Sequence, residues 1–214
     1  VTRLALIHAL SHSVAPINDE LERAWPEAVR MNLLDDSLSA DLARDGGGLD
    51  EAMHRRFEAL AAYAEGTGAQ AILFTCSAFG PCIEAVAARR PHMPVLKPNE
   101  AMVDEAVGLG RRIGLIASFA PTLVSMPPEF PERVELVTRL AEGALDALNR
   151  GDLAGHDQRV VEAAQWLAGQ GCDLIALAQF SMARAQPVVQ RAVGLPVLTT
   201  PGSAVRALRQ RLGA

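Results

Sequence analysis

Short, nearly continuous apolar runs alternate along the chain with longer stretches whose apolar residues recur at helical spacing. Arg3 to Ile7, Val29 to Leu34, Ala69 to Phe74 and Met93 to Leu96 read as four strands. Ile17 to Trp25 reads as a helix, and so does Leu49 to Ala64, with Phe57, Leu60 and Ala61 on one face. The same order then returns. Strands are predicted over Ile113 to Ile116, Val134 to Val137, Leu174 to Leu177 and Val197 to Leu198, with a helix from Asp157 to Leu167 and a tail helix from Ser203 to Leu212. Apolar runs without alternation belong to strands covered on both faces, and strands separated by helices are joined by parallel crossovers. The predicted class is α/β, doubly wound, with mostly parallel sheets.

The return of the pattern is an internal repeat. Arg3-Leu4-Ala5-Leu6-Ile7 aligns with Arg112-Ile113-Gly114-Leu115-Ile116 at an offset of 109. Ala71 to Cys76 aligns with Leu174 to Gln179 at 103, and Pro94-Val95-Leu96 with Pro196-Val197-Leu198 at 102. This predicts two similar halves, 1–98 and 99–200, related by a pseudo-two-fold rotation, with the tail helix 203–212 packing back on the first. Open parallel sheets bind ligands beyond the carboxyl ends of their strands, so the expected active site is a cleft between the halves, lined by loops that follow strands. The repeat pairs Ser11 and Ser13 with Ser118 and Thr122, and Cys76 with Gln179.

Cys76 ends the third strand in the segment Phe74-Thr75-Cys76-Ser77-Ala78-Phe79-Gly80, which opens towards a helix. A thiol near the N–H groups of a helix start is expected to have a lowered pKa, and a thiolate can exchange a proton with a carbon beside a carboxylate. A small buried residue capping a strand fits the same position. Ser11, Ser13, Ser77, Ser118, Thr122 and Ser181 all follow strands. Such hydroxyls, with backbone N–H groups, can hold a carboxylate without a fixed cation, although Ser and Thr are also ordinary loop and cap residues. His8 ends the first strand, where it is either a substitute acid or base or a hydrogen-bonded core histidine. Cys82 is expected to pack a helix on the sheet, and Cys172 to be structural. His54, His92 and His156 fall in helix or surface contexts. Gly46-Gly47-Gly48 reads as a flexible loop and lacks the lysine of a phosphate loop. Lys97, the only lysine, serves either an acidic substrate or the surface.

Composition narrows the function classes. The chain has 214 residues, half of them apolar and 21% charged, enough for a sizeable core. A net charge of −5 argues against a nucleic-acid groove or a polybasic membrane patch. No apolar run approaches the ~20 residues of a membrane span, so a cytoplasmic protein is expected. The three cysteines form no C-x-x-C pair and the histidines no H-E-x-x-H, so free thiols and no metal site are expected.

Taken together, the Thr75-Cys76-Ser77 setting, the stretch Arg112 to Ser118 followed by Thr122, and Leu195-Pro196-Val197-Leu198 resemble the aspartate/glutamate/hydantoin racemase superfamily, which also holds maleate isomerases and arylmalonate decarboxylases. The resemblance covers nearly the whole chain. It implies proton chemistry at Cys76 on a small carboxylate, with no metal, pyridoxal phosphate or nucleotide, and a homodimer as a frequent assembly. A second cysteine is expected where this chain reads Leu177-Ala178-Gln179-Phe180-Ser181-Met182. Gln179 stands in its place, with Phe180 and Ser181 as substrate-facing neighbours. An amide is neither acid nor base near neutral pH. Three readings therefore stay open: a racemase or isomerase, a one-thiol lyase such as a decarboxylase of malonate-like acids, and a ligand-binding relative without turnover.

Overall fold

A computed structural model describes residues 1–44 and 48–214. Of the glycine run, Gly46 and Gly47 lie outside the described residues. The chain divides into two compact units, Val1–Asn99 with Ala204–Ala214, and Glu100–Ser203.

The first unit runs β1 (Arg3–His8), α1 (Val14–Ala24), β2 (Val29–Leu34), α2 (Ser37–Arg44), α3 (Glu51–Gly66), β3 (Ala71–Phe74), α4 (Gly80–Ala88) and β4 (Val95–Leu96). The second runs α5 (Glu100–Leu109), β5 (Arg112–Ala117), α6 (Thr122–Ser125), β6 (Glu135–Leu140), α7 (Ala144–Asn149), α8 (Leu153–Gly169), β7 (Leu174–Leu177), α9 (Gln186–Val193) and β8 (Val197–Thr199). The last helix, α10 (Thr200–Leu212), starts in the second unit and continues into the terminal segment grouped with the first. Each unit holds one four-stranded sheet, ordered β2-β1-β3-β4 and β6-β5-β7-β8, and every pairing is parallel.

The predicted repeat survives down to register. Leu4 pairs with Ala71, and Ile113, 109 residues after Leu4, pairs with Leu174, 103 after Ala71. Ile72 pairs with Val95, and Ile175 with Val197, at offsets of 103 and 102. The helices that cross over to β3 and β7 are built alike. Asp50 caps α3 by accepting from Met53 N–H at 2.8 Å, and Asp152 caps α8 by accepting from Gly155 N–H at 2.9 Å. Both leave through a left-handed glycine, Gly68 at φ 82° and Gly171 at φ 78°.

The inner strands β1, β3, β5 and β7 are buried almost throughout, as their unbroken apolar runs predict. In the second unit, alternate residues serve opposite faces. Ile116, Ile175 and Leu177 pack with Val160, Ala164 and Leu167 of α8, while Leu115, Ala117 and Ala176 pack with Met102 and Ala106 of α5. Gly114 lets α8 lie close on β5: a Cβ there would fall 2.9 Å from Ile175 Cδ1 and 3.1 Å from Leu167 Cδ1. In the first unit Phe57 of α3 stacks on Phe74 at 5.3 Å and meets Phe79 at 4.9 Å between ring centroids. The edge strands β2 and β6 are half exposed, and departures from the predicted bounds are confined to element ends. Among the described residues no helix is long and apolar enough to cross a membrane.

Candidate functional site

In each unit the two inner strands end side by side, and their carboxyl ends carry the candidate residues. In the first unit Thr75 N–H donates to Ile7 C=O at 3.0 Å; in the second Ala178 N–H donates to Ile116 C=O at 2.9 Å. One residue further on stand Cys76 and Gln179, both extended, at φ −126°, ψ 119° and φ −133°, ψ 144°. Each starts a 3-10 turn, Ser77–Phe79 and Phe180–Ala185. The chain therefore leaves β3 and β7 the same way and delivers a thiol in one unit and an amide in the other.

Cys76 is half-buried and borders a small apolar recess lined by Ile7, His8, Ala9, Leu38, Phe57 and Phe74. Burial pushes its thiol up, against the opposing pull of the Ala78 N–H and of the Ser39 hydroxyl. This corrects the expectation of a lowered pKa. The Ala78 N–H after the strand does act on the sulfur, but desolvation outweighs it. Cys82 and Cys172 are buried, and burial raises both. Ser39 is the partner that sequence reasoning missed. It lies on α2, a helix of eight residues on which Leu38 is fully buried, and its hydroxyl donates to Ala9 C=O at 2.9 Å.

Behind Cys76, His8 is fully buried, with Nδ1 2.9 Å from Thr75 Oγ1 and Nε2 3.0 Å from Asn32 Oδ1. Both ring nitrogens are engaged, so His8 is a hydrogen-bonded core histidine. Burial holds its pKa below the ordinary value, the Asn32 bond acting in the opposite sense.

In the second unit Gln179 is half-buried, and its Oε1 accepts from Ser118 N–H at 2.7 Å and from Ser118 Oγ at 2.9 Å. A backbone N–H only donates, so the Gln179 atom facing it is the carbonyl oxygen and the amide orientation is fixed. The Nε2 group has no hydrogen-bond partner among the described residues and keeps two donors free. Ser118 is itself buried, and its one hydroxyl proton is committed to Gln179. Phe180 and Ser13 are buried, Ser11 and Ser77 exposed, and Thr122 and Ser181 half-buried. No side-chain hydrogen bond joins Ser11, Ser13, Ser77, Thr122 or Ser181 to another described residue. Lys97 is paired with Glu84 at 2.7 Å, His92 with Glu65 at 2.7 Å, and His156 is buried within α8. Among the described residues no group of three or more His, Cys, Asp or Glu side chains could hold a metal ion.

The sequence matches the family model for Asp/Glu/hydantoin racemases over residues 14–208, nearly the whole chain. The chain belongs to this racemase family. The fold agrees. It is similar to an aspartate racemase homologue from Pyrococcus horikoshii (TM-score 0.75, 13% identity, all of both chains covered). It is also similar to allantoin racemase from Klebsiella pneumoniae (TM-score 0.70, 18% identity, 100% of this chain and 88% of that one). Unliganded arylmalonate decarboxylase gives a TM-score of 0.69 at 15% identity, over 100% and 94% of the two chains. At these identities the likeness is one of fold. No curated protein matches this racemase-family chain in sequence.

Proposed function

We propose that this protein is a cofactor-independent enzyme that moves a proton at the carbon beside the carboxylate of a small acid or amino acid, with Cys76 as the acid/base. The observation that carries the reading is the half-buried thiol after β3, in a racemase-family chain, where the Ala78 N–H and the Ser39 hydroxyl favour its charged form against burial. The raised pKa keeps Cys76 in the form that gives a proton to a carbanion, while the Ala78 N–H and Ser39 hydroxyl favour the minor thiolate that takes one. Gln179 is assigned to substrate binding. Its free Nε2 donors suit a carboxylate, or the enediolate oxygens that develop as the α-proton leaves.

A second reading is favoured by one specific feature. Gln179 cannot serve as the second base of a two-base racemase. A reaction needing a single protonation, such as decarboxylation of a malonate-like acid, asks for only one thiol.

Incubation in D2O with D- and L-aspartate, D- and L-glutamate and an arylmalonate separates the two. Deuterium at the α-carbon with loss of optical activity supports the isomerase, and release of carbon dioxide with one deuterium incorporated supports the lyase. Cys76→Ser should abolish either activity. Neither reaction with any of these compounds, or full activity in Cys76→Ser, would count against the proposal.

A further inference from the structure

The side chains behind Cys76 form a hydrogen-bond chain whose direction is set at one end. The Val14 carbonyl only accepts, so the Asn18 atom 2.7 Å from it is the amide nitrogen. That nitrogen also lies 2.8 Å from Asn32, whose facing atom is therefore its carbonyl oxygen. Asn18 Oδ1 accepts in return from Asn32 Nδ2 at 3.2 Å. The same Asn32 oxygen is 3.0 Å from His8 Nε2, so Nε2 carries a proton. His8 is fully buried, and burial disfavours a second proton on the ring. Nδ1 is then an acceptor, and Thr75 Oγ1, 2.9 Å away, is its donor.

We propose that His8 is a neutral positioning residue, held as the Nε2–H tautomer, whose Nδ1 accepts a hydrogen bond from the Thr75 hydroxyl and thereby fixes the strand end that presents Cys76. The inference rests on Cys76 being the proton-transfer group and takes His8 out of that role. It also explains an asymmetry between the halves. The counterparts of His8 and Thr75, at offsets of 109 and 103, are Ala117 and Ala178, so the device exists only in the thiol-bearing half. In the other half Gln179 is fixed by Ser118 instead.

Protonating His8 would reverse the chain. Nδ1 would donate to Thr75, whose hydroxyl would turn to the Ile7 carbonyl, now at 3.4 Å. Two titratable groups lie nearby. The Cys76 thiol borders the same recess, and Asp35 follows β2, with its carboxylate tied to Arg56 at 2.8 Å and Ser37 at 2.5 Å. Neither is hydrogen-bonded to the imidazole, so neither offers the close negative charge an imidazolium needs.

The test uses the intact wild-type chain with 15N-labelled histidine and long-range 1H–15N correlation, His8 being identified by the signal that Asn32→Asp displaces. The expected result is an Nε2–H tautomer unchanged from pH 5 to 8. In parallel, the pH profile of Cys76 alkylation by iodoacetamide should show a single thiol inflection and no step in that window. Titration of His8 between pH 5 and 8, or an Nδ1–H tautomer, would overturn the inference, as would an alkylation step that tracks a histidine. Asn32→Asp places a carboxylate against Nε2 and should bring His8 titration into the window; if no histidine signal moves, Asn32 does not hold the ring and the inference falls. The two claims fail separately. A catalyst indifferent to Cys76→Ser refutes the functional reading and leaves the tautomer measurement standing, whereas a charged His8 in a Cys76-dependent enzyme does the reverse.

Discussion

Gln179 and Ser118 meet twice: one amide oxygen takes both the backbone N–H and the hydroxyl of the serine, at 2.7 and 2.9 Å. The two residues are 61 positions apart and are brought together because β5 and β7 are neighbours in register. The double contact turns a flexible side chain into a fixed one. It spends the acceptor half of the amide inside the protein and leaves the donor half without a partner among the described residues. In the other half of the chain a hydroxyl likewise acts on the key side chain, Ser39 on Cys76, but from α2 and not from a strand end.

The Gln179–Ser118 contact predicts that Gln179→Ala and Gln179→Glu differ in a telling order. Alanine removes donors to a substrate carboxylate. Hydrogen bonds to charged groups are worth about 1.5–3 kcal/mol, so kcat/KM should fall roughly 13- to 160-fold. Glutamate can still accept both Ser118 bonds, so the fold should hold, but it offers no donor and adds a repelling charge. Its kcat/KM should fall further than that of the alanine variant, with a melting temperature near wild type. Proton-exchange rates and thermal denaturation check this, and a glutamate variant as active as wild type would refute the donor role.

Thiol labelling should select Cys76 for a reason other than acidity. Burial raises all three thiols, but Cys82 and Cys172 are only 1% and 5% exposed whereas Cys76 is half-buried. Iodoacetamide should therefore modify Cys76 first in the native protein. The rate should rise about tenfold per pH unit through neutrality, because the thiolate is the minor form there. A profile that levels off below pH ~8, under the unperturbed thiol range of about 8.5, would show a depressed pKa and contradict the burial argument. Peptide mass spectrometry reads out the site.

Much of this architecture is legible in the sequence because burial on both faces writes β1, β3, β5 and β7 as unbroken apolar runs. The repeat offsets carry through to strand register because the caps and left-handed glycines of α3 and α8 recur with them. What the sequence hides depends on neighbours distant along the chain. Among its described side chains helix α2 fully buries Leu38 alone, too weak a periodic signal, so Ser39 escapes notice. The local rule that a helix start acidifies a thiol gives the wrong sign at Cys76, because desolvation depends on Phe57, Phe74 and Leu38, which no local motif reveals. The commitment of Ser118 to Gln179 likewise appears only when β5 lies beside β7.

The close approach of α8 to β5 predicts a stability effect remote from the candidate site. Gly114→Ala places a methyl 2.9 Å from Ile175 Cδ1 and 3.1–3.2 Å from Leu167 carbons. Overpacking of this kind costs about 1–3 kcal/mol, and Gly114→Val should cost more. Urea denaturation should show a lower midpoint with an unchanged slope. An unchanged midpoint for both variants would mean that α8 moves away at no cost.

Ser39 gives the sharpest prediction about Cys76. Its hydroxyl has one proton, donated to Ala9 C=O when Cys76 is a thiol and available to the sulfur when Cys76 is a thiolate. Ser39→Ala removes a bond that favours the charged form, so the thiol pKa should rise further. Because Ala9 competes for the proton, the rise should be smaller than an uncontested hydrogen bond would give. The sign follows directly: at a fixed pH below the pKa, the thiolate fraction falls. A more basic thiolate is also the better nucleophile, with a Brønsted coefficient of about 0.4–0.5, so each tenfold fall in thiolate fraction should lower the alkylation rate only roughly 3- to 4-fold. Ser39→Thr keeps the hydroxyl and should restore most of the rate. The midpoint of the pH–rate profile separates this from a change in access. A variant that merely opens the recess would scale the rate equally at every pH, whereas loss of the hydrogen bond moves the midpoint upward. An unmoved midpoint in Ser39→Ala would show that the hydroxyl serves Ala9 alone and leaves the thiol to burial and the Ala78 N–H.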